Sequence, residues 1–185
     1  MANDRRTLAR TPWRTLSTRP VYANPWIHVR EDIAEMPDGR RTLYGVIETR
    51  PAVGVLPFLD EATVVLVGQY RYVARAFHWE MPTGAMAAGE AEVDTAQREL
   101  AEEAGYRAGR LEKLCTFDTS KSVVDETAHL YVATDLVAVQ HEADATEFIE
   151  VRSFAFDDVL AMVLRSEIVD AMTVVAVLHA ARRRR

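Results

Sequence analysis

The chain has 185 residues, 49% of them hydrophobic, which is enough for one domain with a well-packed core. Its formal net charge of -6 does not favour binding to a nucleic-acid backbone, so we interpret the arginines near both ends as solvated tails. There is one cysteine, no apolar run of 18 residues and no apolar core of a secretory signal. We therefore expect a cytoplasmic protein without membrane contact.

The N-terminal quarter predicts a β-hairpin. Residues 1–20 are interpreted as an irregular arm, and residues 26–36 and 41–49 as two strands. Pro-Asp-Gly within residues 37–40 is a sequence typical of a hairpin turn. Residues 52–59 and 62–70 follow as apolar runs, and we expect them to form a second strand pair.

A single helix is predicted in the middle of the chain, over residues 92–104. Val93, Ala96, Leu100 and Ala104 recur at helical spacing, and Gly105 stands where a helix end favours a left-handed residue. Strands and helices around it indicate an α/β or α+β sandwich. The remaining predicted elements are strands at 78–82, 111–117 (with Cys115 packed inside), 128–139 and 147–156, and helices at 157–165 and 170–182.

Three carboxylates crowd this helix. Glu99 and Glu103 are four residues apart and share a face, with Glu102 beside them, on a face that we expect to run alongside the apolar stripe. Like charges at this spacing cost an isolated helix roughly 0.2–0.5 kcal/mol per pair. A hard divalent cation would turn that repulsion into attraction, since magnesium prefers oxygen ligands. An exposed acidic helix without a metal is the alternative.

The segment before the helix has its own pattern. Gly84 and Gly89 bracket a loop that must turn back on itself, and glycine permits the backbone angles this needs. Glu90 follows the loop, and Arg98 lies beside Glu99 on the predicted helix. We expect Arg98 to hold Glu90 by a charge-assisted hydrogen bond, which would fix the loop to the helix.

The whole segment from residue 84 to 106 resembles the Nudix box, G-x5-E-x7-R-E-U-x-E-E-x-G-U, where U is a bulky apolar residue. Tyr106 at the last U is a mild departure, and every other specified position is met at fixed spacing. The matching residues are Gly84, Glu90, Arg98, Glu99, Leu100, Glu102, Glu103, Gly105 and Tyr106.

The resemblance implies an α/β/α sandwich with a mixed sheet and hydrolysis of a nucleoside diphosphate linked to another group. It implies Mg²⁺, or Mn²⁺, held chiefly by Glu99 and Glu103, with Glu102 as a further ligand or a group next to the ligands. Arg98, Glu102 and Glu126 are the candidate catalytic residues. Such metals neutralise charge on a diphosphate and activate water.

The flanks of the box are similar to the branch of ADP-ribose pyrophosphatases and nucleoside diphosphate sugar hydrolases. That resemblance rests on Gln69–Arg71 and on the run from Glu80 to Gly84, and it covers roughly residues 21–178. It implies that Thr83 offers a backbone carbonyl to the metal and that Arg71 and Glu80 bind substrate. Glu126 would face the substrate from a loop, and Glu147 matches a position that is a metal ligand in some members of the branch. A surface role is the alternative for Arg71, Glu126 and Glu147.

Two positions depart from the branch. Ser120-Lys121 stands where many ADP-ribose hydrolases have Ser-Pro, and Ala145 stands where some have a glutamate base. The base is therefore Glu126, Asp144, or a metal-activated hydroxide with no dedicated base. ADP-ribose, ADP-glucose and GDP-mannose remain equal candidates as the nucleotide-sugar substrate. The alternatives are a dinucleoside polyphosphate, a coenzyme or an oxidised nucleotide, or a sensor of sugar nucleotides with little catalysis.

The branch also implies a homodimer. Residues 1–49 would form an arm and a hairpin that is exchanged across a two-fold axis, and residues 50–185 would form the hydrolase domain. Tyr22 or Trp26 would stack on the nucleobase, with core or dimer packing as the alternative. The five histidines show no metal-binding spacing and are interpreted as structural or exposed.

Overall fold

The computed structural model describes residues 10–140 and 148–184, and these residues form two compact units. The first unit includes the chain up to Arg50 together with Asp118–Glu126, and the second includes Pro51–Phe117 and the chain from Thr127 onward. The elements in chain order are β1 (Arg14–Ala23), β2 (His28–Glu35), β3 (Arg41–Glu48), β4 (Ala52–Pro57), β5 (Thr63–Arg71), β6 (Ala76–Glu80), β7 (Thr83–Ala85), α1 (Glu92–Ala104), β8 (Tyr106–Asp118), β9 (Val124–Asp125), β10 (Thr127–Ala138), β11 (Glu150–Ala155), α2 (Phe156–Leu164) and α3 (Ala171–Arg183).

The first unit is a sheet in the order β1-β2-β3-β9. The predicted hairpin is confirmed: β2 and β3 pair antiparallel, and Gly39 takes the positive φ of 84° in the turn. The predicted irregular arm is wrong from Arg14 onward, because β1 pairs antiparallel with β2 along its length. Nearly all β1 side chains are exposed, so the strand lacks the apolar alternation by which a sequence predicts it.

The second unit contains two sheets, in the orders β7-β4-β10-β8 and β11-β5-β6. The first is mixed, since β4 pairs parallel with β10 and antiparallel with β7. The expected pairing of residues 52–59 with 62–70 is wrong: β4 and β5 belong to different sheets, and the two runs meet only at an isolated bridge between Phe58, just after β4, and Val64. All six β4 residues are buried, and both edges of this strand are already taken by β7 and β10.

Strand β4 lies between two apolar cores. Val53 and Val55 face α1, and Leu56 packs with α2 and α3 on the opposite side. Alternate residues of a strand point to opposite faces, so one buried strand serves both helix layers. This arrangement confirms the expected α/β/α sandwich. No helix among residues 10–140 and 148–184 has the length and apolar character to cross a membrane.

Helix α1 has the predicted bounds, but its buried face is different. Val93 is 48% exposed, whereas Glu99 and Glu103 are each only 7% exposed. The buried face is centred on Ala96 and Glu103, with Leu100 and Ala104 toward one side. The expectation that the carboxylates lie beside the buried stripe is therefore wrong, because two of them lie within it. Gly105 ends the helix with φ 73°, as its position predicts.

Candidate active site

The segment before α1 is packed against a carboxylate of that helix. Gly84 lies in β7, which β4 holds in place through the pair Val53–Gly84. A Cβ atom built on Gly84 would overlap both carboxylate oxygens of Glu99. A glycine is needed here for close approach rather than for backbone freedom, since Gly84 is not among the residues with positive φ.

Arg98 joins the lead-in loop to the helix. Its Nε and Nη2 atoms donate to the two oxygens of Glu90, both at 3.0 Å, so the predicted contact is confirmed. Nη2 also donates to the carbonyl of Ala85 at 3.2 Å. The Arg98 hydrogen bonds, together with a backbone N–H of Ala87, lower the pKa of Glu90 to about 2. Because the guanidinium of Arg98 binds both oxygens of Glu90, this contact fixes the geometry of the loop and keeps the Glu90 carboxylate ionised.

The same guanidinium also reaches the box carboxylates. Nη1 of Arg98 lies 2.6 Å from Glu99 Oε1 and 3.0 Å from Glu102 Oε2. Hydrogen bonds to these glutamates and to Glu90 raise the pKa of Arg98, so its positive charge is secure. Arg98 therefore offsets part of the repulsion expected among the three carboxylates of α1, since it lies against two of them.

Glu103 has a different environment. Its Oε2 accepts a hydrogen bond of 2.9 Å from the backbone N–H of Thr83, in β7. Among residues 10–140 and 148–184, no group of three or more histidine, cysteine or acidic side chains is arranged as a metal-binding cluster. The convergence of Glu99, Glu102 and Glu103 expected from their spacing is thus not present in this conformation. In this conformation Glu99 and Glu102 are hydrogen-bonded to Arg98, and Glu103 accepts from the Thr83 amide.

Arg71 and Glu80 come together at the ends of β5 and β6. Arg71 Nη2 lies 2.6 Å from Glu80 Oε1, and the guanidinium side chain is 44% exposed whereas that of Glu80 is 6% exposed. Burial raises the pKa of Glu80, against the lowering effect of Arg71. Oε1 of Glu80 accepts no well-aligned hydrogen bond from the described residues, so the contact is an ion pair. Arg71 is therefore held at one end and open to solvent at the other.

Three candidate residues belong to the first unit. Tyr22 and Trp26 are 56% and 70% exposed at the turn between β1 and β2, so packing in the core of this chain is excluded for both. Asn24 Oδ1 shapes that turn by accepting hydrogen bonds from the backbone N–H groups of Trp26 and Ile27. Glu126 follows β9 and accepts a 3.1 Å hydrogen bond from the Thr49 hydroxyl. Glu147, like Asp144 and Ala145, lies outside the described residues.

Reasoning from the sequence missed one contact to this site. The Thr173 hydroxyl, at the start of α3, accepts a hydrogen bond from the backbone N–H of Met81, 92 residues earlier in the chain. The Asp170-x-x-Thr173 spacing is a recognisable helix N-cap pattern. That pattern locates the beginning of a helix, but it contains no information about which distant backbone the helix will contact.

With this geometry described, the chain can be assigned to a family. Residues 48–172 match the family model of the NUDIX domain, which is more than half of the chain, and the protein belongs to the Nudix family. Residues 13–47 match a second family model, described as the nucleoside diphosphate sugar hydrolase N-terminal domain.

Relatives extend over nearly the whole chain. The protein is 32% identical over 166 residues to the ADP-ribose pyrophosphatase of Bacillus subtilis (strain 168), which covers 89% of this chain and 90% of that one. It is equally similar, at 32% over 166 residues and the same coverage, to the methanol dehydrogenase activator of Bacillus methanolicus. A crystal structure of an ADP compounds hydrolase superposes with a TM-score of 0.83, covering 94% of both chains at 21% identity, and this similarity confirms the fold.

Proposed function

We propose that this Nudix protein hydrolyses the diphosphate bond of a nucleoside diphosphate sugar of the ADP-ribose, ADP-glucose or GDP-mannose type. The products are a nucleoside monophosphate and a sugar phosphate. The observation that carries the proposal is the assembled box: Gly84 lies against Glu99, while Arg98 fixes Glu90 and the loop between them. The match of residues 13–47 to a nucleoside diphosphate sugar hydrolase domain supports the substrate class.

The donor set of the box fits a hard divalent cation, Mg²⁺ with Mn²⁺ as the alternative. Glu99, Glu102 and Glu103 are oxygen donors on adjacent turns of α1, and the missing side chain of Gly84 lets the Glu99 carboxylate lie directly against β7, the strand that begins with Thr83. Glu99, Glu103 and the Thr83 carbonyl are the proposed ligands, with Glu147 as a further ligand. When bound, the metal would neutralise diphosphate charge and activate water.

The other proposed roles follow from the position of each side chain. Arg98 keeps the loop on the helix, and Glu102 orients water or completes the metal site. Arg71, held by buried Glu80, presents its exposed edge to a diphosphate or sugar oxygen. Glu126 is the proposed base, with Asp144 as the alternative.

Tyr22 and Trp26 are the proposed nucleobase contacts. Their rings are exposed, and an aromatic face accepts any base by stacking. In the homodimer that we propose, the sheet of residues 14–48 is exchanged and these rings complete the partner's site. Light scattering at micromolar concentration tests the assembly, and a monomeric mass with full activity would rule out this part. We place the protein in the cytoplasm, with neither nucleic acid nor membrane as a partner, since it is acidic and has one thiol, Cys115.

The test is a comparison of three proteins on one substrate panel. Wild type, Glu103→Gln and the control Glu167→Gln are incubated with Mg²⁺ and sugar nucleotides, dinucleoside polyphosphates, NADH and 8-oxo-dGTP. Glu167 lies between α2 and α3 and pairs with Arg165 on the surface, so its substitution removes one charge and one exposed ion pair, which contribute little to stability. We expect Glu103→Gln to lose at least about 100-fold in kcat on a preferred sugar nucleotide, since even residues that support metal ligands cost 10–100-fold.

Two outcomes would contradict the proposal. Equal turnover by Glu103→Gln and Glu167→Gln would show that the box carboxylates are not used. Binding of a sugar nucleotide without product over hours would instead support the sensor alternative. A higher kcat/KM for a nucleotide of another class would keep the enzyme and replace its substrate.

A further inference from the structure

Helix α3 contacts the backbone just before the box. Thr173, which is fully buried, lies in its first turn, and its hydroxyl oxygen is 3.0 Å from the backbone nitrogen of Met81. Met81 is also fully buried and precedes β7 by one residue, Pro82. A helix on one face of the sheet is therefore hydrogen-bonded directly to the segment that carries Thr83.

The direction of this hydrogen bond is determined by Asp170. One carboxylate oxygen of Asp170 accepts from the Thr173 backbone N–H at 2.7 Å and from the Thr173 hydroxyl at 2.6 Å. A hydroxyl has one proton, and here it goes to the carboxylate. The hydroxyl oxygen is then left to accept the N–H of Met81. The Thr173 backbone N–H provides the usual N-cap hydrogen bond, and the hydroxyl links the Asp170 cap to the N–H of Met81.

The polar backbone groups from Met81 to the Thr83 amide all have partners. The Met81 carbonyl accepts the Thr83 hydroxyl at 3.0 Å, and the Pro82 carbonyl accepts the N–H of Val55 at 2.9 Å. The Thr83 N–H donates to Glu103 at 2.9 Å, and Pro82 has no N–H to satisfy. The path of these three residues is thus determined from α3 at one end and from α1 at the other. The backbone path of these residues in turn determines the position of the Thr83 carbonyl.

We propose that Thr173, oriented by Asp170, is a positioning residue that holds the Thr83 carbonyl and the Glu103 carboxylate where both can bind the metal ion. The inference rests on the proposed function, in which both groups are ligands. Thr173 itself touches neither metal nor substrate. Supporting hydrogen bonds of this kind tune metal sites strongly, because they determine where the ligand atoms can be.

Three variants separate positioning from stability. Thr173→Val keeps the shape and the backbone N–H bond of the helix cap but removes the hydroxyl with its bonds to Met81 and Asp170, and Thr173→Ser keeps the hydroxyl. Ala176→Gly is the control, since Ala176 is fully buried on the same helix and its substitution weakens α3 without removing the hydroxyl that bonds to Met81. Circular dichroism establishes that each variant is folded. If Thr173→Val is not recovered folded, Thr173→Ala removes the same hydroxyl with less bulk.

The first readout is Mn²⁺ affinity without substrate, from the electron paramagnetic resonance signal of free Mn²⁺. We expect Thr173→Val to bind Mn²⁺ about 10-fold more weakly than wild type, with Thr173→Ser and Ala176→Gly within about 2-fold of wild type. The second readout is turnover of the preferred sugar nucleotide. We expect kcat of Thr173→Val to fall about 10-fold with KM little changed, because the defect lies at the metal and not at the substrate contacts.

Failure of this inference and failure of the proposed function look different. A wild type that binds Mn²⁺ but hydrolyses no sugar nucleotide would refute the function, and the Mn²⁺ titration would still decide the role of Thr173. Equal Mn²⁺ affinities for Thr173→Val and Ala176→Gly would overturn the inference, as would a wild type that binds no Mn²⁺. Loss of affinity in Thr173→Val that Thr173→Ser does not restore would likewise assign the effect to packing rather than to the hydroxyl.

Discussion

Gly84→Ala tests whether the close packing of the loop on α1 matters for activity. The added Cβ would overlap the carboxylate of Glu99, and a real Cβ essentially never comes within 3.0 Å of another heavy atom in this way. Glu99 is only 7% exposed and bonded to Arg98, so it has little room to swing aside. The carboxylate must withdraw by about 1 Å, and a misplacement of that size costs about 100-fold in rate. We therefore expect kcat to fall about 100-fold.

The matched control for this substitution is Gly45→Ala. Gly45 lies in β3, and a Cβ built there meets nothing within 4 Å. Both substitutions remove the same backbone freedom from the unfolded chain, about 0.4–1 kcal/mol, so a difference between them reports the clash. The assay is steady-state hydrolysis of the preferred sugar nucleotide, with urea unfolding in parallel. If Gly84→Ala keeps the kcat of Gly45→Ala, the Glu99 carboxylate is not needed where the structure has it, and the reasoning is refuted.

Three further substitutions test the electrostatics of the second unit by urea unfolding. The pKa of Glu90 is lowered from 4.5 to about 2, so the free energy of unfolding of the wild type should fall as the pH falls through that interval. Arg98→Met should lose less stability over the same interval, and equal slopes of stability against pH for the two proteins would contradict this. The pKa of Glu80 is raised by burial, so its negative charge destabilises the fold as the pH rises above 4.5. Glu80→Gln should therefore be at least as stable as wild type at neutral pH, and any gain in stability over wild type should disappear in acid. The buried Tyr131 hydroxyl donates to Glu92 at 2.6 Å, and Tyr131→Phe should cost about 1.5 kcal/mol; a change below about 0.5 kcal/mol would show that the bond is dispensable.

Elements with a local signal were predictable from the sequence. The bounds of α1 follow from its apolar period and from Gly105, and both act within one or two turns of the chain. The β2–β3 hairpin follows from Pro-Asp-Gly for the same reason. Strand β1 was not predictable, because its exposed side chains show no period and its partner strand supplies the hydrogen bonds that order it.

Pairings between distant segments were harder to predict. The apolar runs of β4 and β5 are close in sequence, which suggested that they pair, yet β4 pairs with β10, more than 70 residues away. A fully buried strand has no polar face to indicate its neighbours. In the site, the Arg98–Glu90 contact was predictable because the two opposite charges lie on the helix and on the short loop that leads into it. The Thr83–Glu103 and Met81–Thr173 hydrogen bonds were not predictable. Their donors are backbone N–H groups, which nearly every residue has, so the residue types do not indicate which of them will bond to a distant side chain.

The position of Arg98 explains how one helix tolerates three adjacent glutamates. A lysine at this position would offer a single ammonium group, whereas the arginine fork spreads its N–H groups over Glu90, Glu99 and Glu102. Glu103, on the buried face, accepts a hydrogen bond from a backbone amide instead. A metal that binds must therefore compete with Arg98 for Glu99 and Glu102. It follows that substitution of Arg98 has two opposed effects: it frees carboxylate oxygens for the metal, and it releases the loop between β7 and α1. If loop release dominates, Arg98→Met lowers kcat while its Mn²⁺ affinity stays equal to or above that of wild type, and a joint loss of both would show that Arg98 also organises the ligands.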